Sequence, residues 1–78
     1  MTIGELIKDY CNKNKISQYE FSEMVGMSSV SVSKIVRENR LPAIPYLKNI
    51  AKVLDMTFME LIHEHYSTME KMEVRTIV

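Results

Sequence analysis

Between Ser29 and Lys52 the chain carries Lys34, Arg37, Arg40, Lys48 and Lys52 against one acid, Glu38. From Thr57 to Val78 the balance reverses, with four acids against two bases. A one-sided run of cations suits a polyanion, and the phosphate backbone of nucleic acid is the partner such a field attracts. On charge alone a solvated surface reads the same way. Other chemistry is less well supplied. His63, Glu64 and His65 hint at a metal, but positions i and i+2 on a helix point about 200° apart, and the i, i+4 pair that zinc favours is absent. Cys11 is the only cysteine, which excludes a disulfide framework within one chain and leaves an inert, packed thiol in a reducing cytoplasm as the expectation. There is no Gly-rich phosphate loop, no Ser-His-Asp set and no carboxylate pair placed for acid–base work, so an enzyme is not expected and no cofactor or metal is implied.

The elements that must position these side chains fit within one small folded domain. Of 78 residues 46 % are hydrophobic and 26 % charged, and ten bases balance ten acids. A domain of this size buries only roughly 60 % of the surface its unfolded chain exposes, which makes association with a second copy a natural source of stability. No apolar run approaches the ~18 residues of a membrane span, and Glu5 and Asp9 interrupt any secretory-type leader, so a soluble, cytoplasmic protein is expected.

Ile3, Leu6, Ile7, Tyr10 and Cys11 recur at the spacing of one helical face, predicting a first helix from Thr2 to about Asn14. Ser17 with Glu20 forms a capping box that opens a second helix, with Phe21, Met24 and Val25 expected inward and Gly26 as the stop. Ser28 caps a third helix, to about Arg37, that buries Val32, Ile35 and Val36. Glu38 to Ala43 lacks periodicity and contains Pro42, so it reads as a loop. Pro45 belongs in the first turn of a fourth helix carrying Leu47, Ile50, Ala51 and Leu54 inward. Capping boxes also join Thr2 to Glu5 and Thr57 to Glu60, the latter opening a fifth helix lined by Phe58, Leu61 and Ile62. For the last dozen residues two readings stand. Met69 and Met72 continue the helical spacing, whereas Val74 to Val78 alternate as a strand would.

Two short helices separated by Gly26 and Met27 have the form of a helix-turn-helix. The stretch Ile16 to Ile62 resembles the lambda repressor and Cro-like, or XRE, family of DNA-binding domains. The likeness rests on Ser17-Gln18 opening the second helix, Phe21-Ser22, the Val25-Gly26-Met27-Ser28 turn, Val32 and Ile35, Pro42, and Leu47, Ala51 and Leu54. It implies a compact all-α five-helix domain over residues 1–66, with the helix-turn-helix at helices two and three, and a C-terminal extension over 67–78. Two positions depart from the family pattern: Val36 stands where a Glu is usual, and Glu38 where a Gly is usual, the latter placing a negative charge near the path of a phosphate.

The resemblance also implies how the surface works. The third helix would lie in the major groove with Ser29, Val30, Ser31 and Lys34 at base edges; of these Lys34 is suited to guanine O6 and N7, and Val30 to a thymine methyl. Gln18, Ser28, Ser33, Arg37, Asn39, Arg40 and Lys48 would hold phosphates. The expected function is transcriptional regulation, as a repressor on a partly palindromic operator in double-stranded DNA. A homodimer seam is expected at Phe58, Ile62, Tyr66, Met69, Ile77 and Val78, which are more apolar than so small a core can hide. The alternative reading is a protein-interaction module or an antitoxin, with a toxin or another protein antagonist as partner and weak DNA binding.

Overall fold

The computed structural model describes the backbone of residues 1–77 and the side chains of residues 1–71. Five helices follow one another: α1 (Ile3–Asn14), α2 (Gln18–Val25), α3 (Ser29–Glu38), α4 (Ile44–Val53) and α5 (Phe58–Ile77). No strand occurs among the described residues. The helix starts are those the sequence predicts. Thr2, Ser17 and Thr57 each accept a hydrogen bond from the backbone of a Glu three residues on, and each Glu carboxylate accepts one from the cap residue's own N–H. Two otherwise unsatisfied donors are thereby satisfied at every such start.

Each helix contributes an inner stripe to one core. Ile3, Ile7 and Cys11 come from α1, Phe21 and Val25 from α2, Val32 and Ile35 from α3, Leu47, Ile50 and Ala51 from α4, and Leu61 from α5. Phe21 is fully enclosed and meets the Tyr10 ring edge-on at 5.8 Å between centroids. Ser22 is also buried and donates to the Tyr19 carbonyl, as a small residue at a close helix crossing can. Met24 is the exception to the expected packing. It is 51 % exposed, because a two-turn helix has only one inner face and Phe21, Ser22 and Val25 occupy it. Val36 is half-buried at the edge of the α3 stripe.

The two readings of the C-terminal segment resolve in favour of helix, since α5 runs on without a break to Ile77. Adding a residue to an existing helix gains a hydrogen bond without a new nucleus, and this outweighs the β-favouring side chains. The Ile77 side chain and the whole of Val78, both assigned to the dimer seam from sequence, lie outside the described residues.

Two long-range contacts fix α1. A Cβ on Gly4 would stand 2.9 Å from the carbonyl oxygens of Ile35 and Val36 and 2.8 Å from Asn39 Oδ1, so the start of α1 lies directly on the end of α3. At the same place the Ile3 N–H donates to Nδ1 of the buried His65, at 3.0 Å, joining α1 to α5. Burial holds the His65 ring below its ordinary value of 6.5, with the nearby chain-terminal ammonium pushing the same way. The imidazole is therefore kept neutral, as an acceptor must be.

Gly4→Ala is expected to lower the unfolding free energy by about 1–3 kcal/mol through overpacking, although Ala is intrinsically the better helix former. A denaturant midpoint at or above that of the parent chain would show the contact to be loose. Stability should be complete above pH 6.5 and decline as the pH falls through that value, because the unfolded chain then takes a proton at His65 that the folded chain refuses. A second decline begins below 4.5, where Glu5 and Glu60, held low by the N–H groups of Thr2 and Thr57, must be protonated. His65→Leu should cost about 1–3 kcal/mol by stranding the Ile3 N–H. It should erase the first decline and leave the second; unfolding curves measured across the two windows would check this.

Candidate nucleic-acid interface

The turn between α2 and α3 is built locally. Gly26 sits at φ 74°, in the left-handed region, and its N–H closes the end of α2. The Met27 N–H then donates to the Ser22 carbonyl at 2.9 Å. A residue with a Cβ is disfavoured at this angle, and only Gly26 and Met27 are available to redirect the chain. From α4, Asn49 Nδ2 donates to the Val25 carbonyl at 3.2 Å, satisfying a second acceptor at the end of α2 and holding α4 beneath the turn.

The chain then enters α3 at Ser28. Its hydroxyl accepts the Ser31 N–H and donates its own proton to Ser31 Oγ at 2.9 Å. Ser28 is thus occupied in fixing the first turn, and Ser31 keeps its hydroxyl proton for an outside acceptor. Val32 and Ile35 face the core. On the opposite side Val30, Lys34 and Arg37, at i, i+4 and i+7, form an exposed stripe, with Val30 62 % exposed. Ser29 is exposed at the first turn, while Ser31 and Ser33 lie half-buried along the flanks. Of the base-edge candidates, Val30 and Lys34 share the outer side of α3, Ser29 is exposed at its first turn and Ser31 lies on the flank.

The phosphate candidates are more dispersed. Gln18 is half-buried as the first residue of α2; the capping box engages the N–H groups of Ser17 and Glu20, leaving those of Gln18 and Tyr19 to point out of the helix start. Arg37 is exposed, its Nε directed to the Ser33 carbonyl at 3.4 Å, one turn back on the same helix. Asn39 closes α3 at φ 55°, and its side-chain oxygen is the atom that lies over Gly4. Arg40 is exposed and reaches Glu38 only at 3.9 Å, so the acid that departs from the family pattern barely engages its neighbour. Lys48 is exposed on α4.

Of the seam residues, Phe58, Ile62 and Met69 are half-buried on α5 and Tyr66 is 55 % exposed. Met59, 70 % exposed, joins Ile62 and Tyr66 at i, i+3 and i+7 and widens this apolar strip. His63 and His65 diverge as helical geometry requires. His65 binds the α1 backbone, and His63 lies exposed with Ser67 at 3.5 Å. Burial and the charge of Glu20 push the Cys11 thiol up, away from the reactive thiolate.

A short helix, a left-handed glycine turn and a second helix with an exposed polar stripe define a helix-turn-helix domain. The model of the helix-turn-helix family matches residues 7–61, and the chain belongs to that family, of the XRE type. Among solved structures it is similar to the DNA-binding domain of the P22 C2 repressor, determined in solution. That likeness has a TM-score of 0.67 and 31 % sequence identity over 80 % of this chain and 82 % of that one. No curated protein matches the chain in sequence. The family match takes in most of α1, which the resemblance read from Ile16 to Ile62 left out. Gly4, Asn49 and the acceptor role of His65 were also missed; only the lone glycine inside a helical pattern could have signalled a close approach.

Ser28→Ala should destabilise the domain by about 1 kcal/mol through loss of the cap. Amide exchange at Ser31, whose N–H the Ser28 hydroxyl accepts, is expected to quicken with it. Unchanged exchange there would mean that the first turn of α3 is held by something other than the Ser28 hydroxyl.

Proposed function

We propose that the chain regulates transcription by binding double-stranded DNA, with α3 in the major groove and two copies on a partly palindromic operator. The observation that carries this reading is the outer stripe of α3. Val30, Lys34 and Arg37 make no contribution to the core, yet they stand on the second helix of a helix-turn-helix, where family geometry brings base edges. Lys34 reads guanine, Val30 packs on a thymine methyl, and Ser29 and Ser31 complete the base contacts. Gln18, Ser33, Arg37, Arg40 and Lys48 bind phosphates on either side, with the backbone N–H groups of the α3 start taking the contact that the engaged Ser28 hydroxyl cannot. Asn39 is a further phosphate contact in this reading, from a side chain that stands beside Gly4.

A single recognition helix reads only a few base pairs, so two copies double the readout at half-sites about 34 Å apart. Phe58, Ile62, Tyr66 and Met69 on α5, with Met59 beside them, and the C-terminal extension 67–78 form the surface proposed to join them. Repression follows from occupancy of such a site, and the P22 C2 protein supports it by likeness. A second reading, a protein-interaction module or antitoxin, draws on Glu38 and on a recognition helix with no Arg, Asn or Gln in its first six residues.

Selection from a random duplex library at near-physiological salt separates the two. Enrichment of inverted halves about one helical turn apart is the expected result. Lys34→Ala should then cost about 1–3 kcal/mol at one base pair and relax preference there, while Arg37→Ala should weaken all sequences alike and lower the salt slope by about 1. Retention without enrichment, together with co-purification of a toxin or other protein, would replace the regulator by the interaction module.

A further inference from the structure

Next to the outer stripe of α3 a cleft of about 260 Å³ opens between that helix and the segment leading into α4. Its walls are mostly apolar, with Met27 from the turn, Ile35 from α3, Leu41 from the loop and Tyr46 from the first turn of α4, and Ser31 of α3 adds a hydroxyl. Met27, Ile35 and Leu41 belong to the packed core or rest against it, so the floor is preformed. Two cations, Lys34 and Arg40, also line the cleft, and both residues are exposed. Lys34 has no ion pair among the described residues, and Arg40 has only the 3.9 Å approach of Glu38.

An apolar pocket edged by cations whose charge is little compensated is complementary to an anion with an apolar body. The volume is just below the roughly 300–1,000 Å³ of sites for drug-sized ligands, which limits the occupant to one ring or a short alkyl chain. We propose that this cleft binds a small amphipathic carboxylate, its ring or chain against Met27, Ile35 and Leu41 and its carboxylate between Lys34 and Arg40. Lys34 is also the guanine reader and Arg40 a phosphate contact. Occupancy of the cleft therefore competes with DNA, a consequence that rests on the proposed function, whereas binding of the carboxylate does not.

The probe is benzoate, with benzyl alcohol as its uncharged counterpart. The full chain, labelled at Met, Ile and Leu methyl groups, is titrated with each and followed by NMR. Saturable shifts confined to Met27, Ile35 and Leu41 are expected, with benzoate about three- to fivefold tighter than the alcohol, the scale of exposed ion pairs. Lys34→Gln combined with Arg40→Gln should bring benzoate down to the level of the alcohol. Ala43 also lines the cleft and is exposed, so Ala43→Leu should fill the space and abolish both shifts without disturbing the core. Shifts that do not saturate, that spread over the surface, or that are as strong for the alcohol as for the acid would overturn the site.

Retention of duplex DNA is then measured with saturating benzoate against chloride at equal ionic strength. Loss of retention in the parent chain but not in Ala43→Leu is the expected result. Benzoate binding by a chain that retains no DNA would keep the cleft and remove the regulator reading. DNA retention indifferent to bound benzoate would overturn the competition alone.

Discussion

The direction in which α3 points is set by backbone lying on backbone. Gly4 rests on the carbonyls of Ile35 and Val36 and beside the side-chain oxygen of Asn39, with no room for a Cβ between the start of α1 and the end of α3. Around that contact the other long-range bonds fall into place. Ile3 donates to His65 and so draws α5 against the same junction, while Asn49 ties α4 to the far end of α2. The helix-turn-helix is short, two turns of α2 and under three of α3, and helices of that length are not stable in isolation. Their mutual angle depends on what is packed behind them, and α1 is the largest part of that support.

What was legible in the sequence was local. Three capping boxes, the Ser28 cap, the Gly26 stop and the inner stripes of α1, α3 and α4 each depend on residues within a turn or two of one another, and each appears in the fold where it was expected. The helix-turn-helix register was legible for the same reason, its signature being a run of local requirements in fixed order. Gly4, Asn49 and His65 were not, because their partners are reached only after the chain has folded. Met24 misled because apolar spacing alone does not say how wide the inner face of a two-turn helix is. The candidate interface divides in the same way. The α3 residues assigned to base edges follow from the family resemblance, whereas the engagement of Ser28 with Ser31 and the approach of Asn39 to Gly4 needed coordinates.

A net charge of zero suggests little affinity for nucleic acid, yet the charges are segregated along the chain. Five cations fall between Ser29 and Lys52, and three of the acids, Glu5, Glu20 and Glu60, are drawn into helix starts where N–H groups and the helix dipole accommodate them. Glu38 is the acid left nearest the α3 surface, and its 3.9 Å approach to Arg40 is too long and too exposed to cancel that cation. Association through the proposed surface would accordingly be governed by the local field and by ionic strength more than by the overall balance.

The outer stripe of α3 has a property that concerns the history of such a scaffold more than its chemistry. Val30 and Lys34 stand outside the core, and among the described residues the Arg37 side chain bonds only to its own helix. Folding places no demand on the identity of these three positions, while Val32 and Ile35, with Val36 at their edge, carry the packing of this helix. Substitutions can therefore accumulate on one side of a single helix without moving the stability threshold that selection enforces. A lineage built on this framework is free to explore new targets one side chain at a time, and its members can diverge in what they recognise long before they diverge in shape.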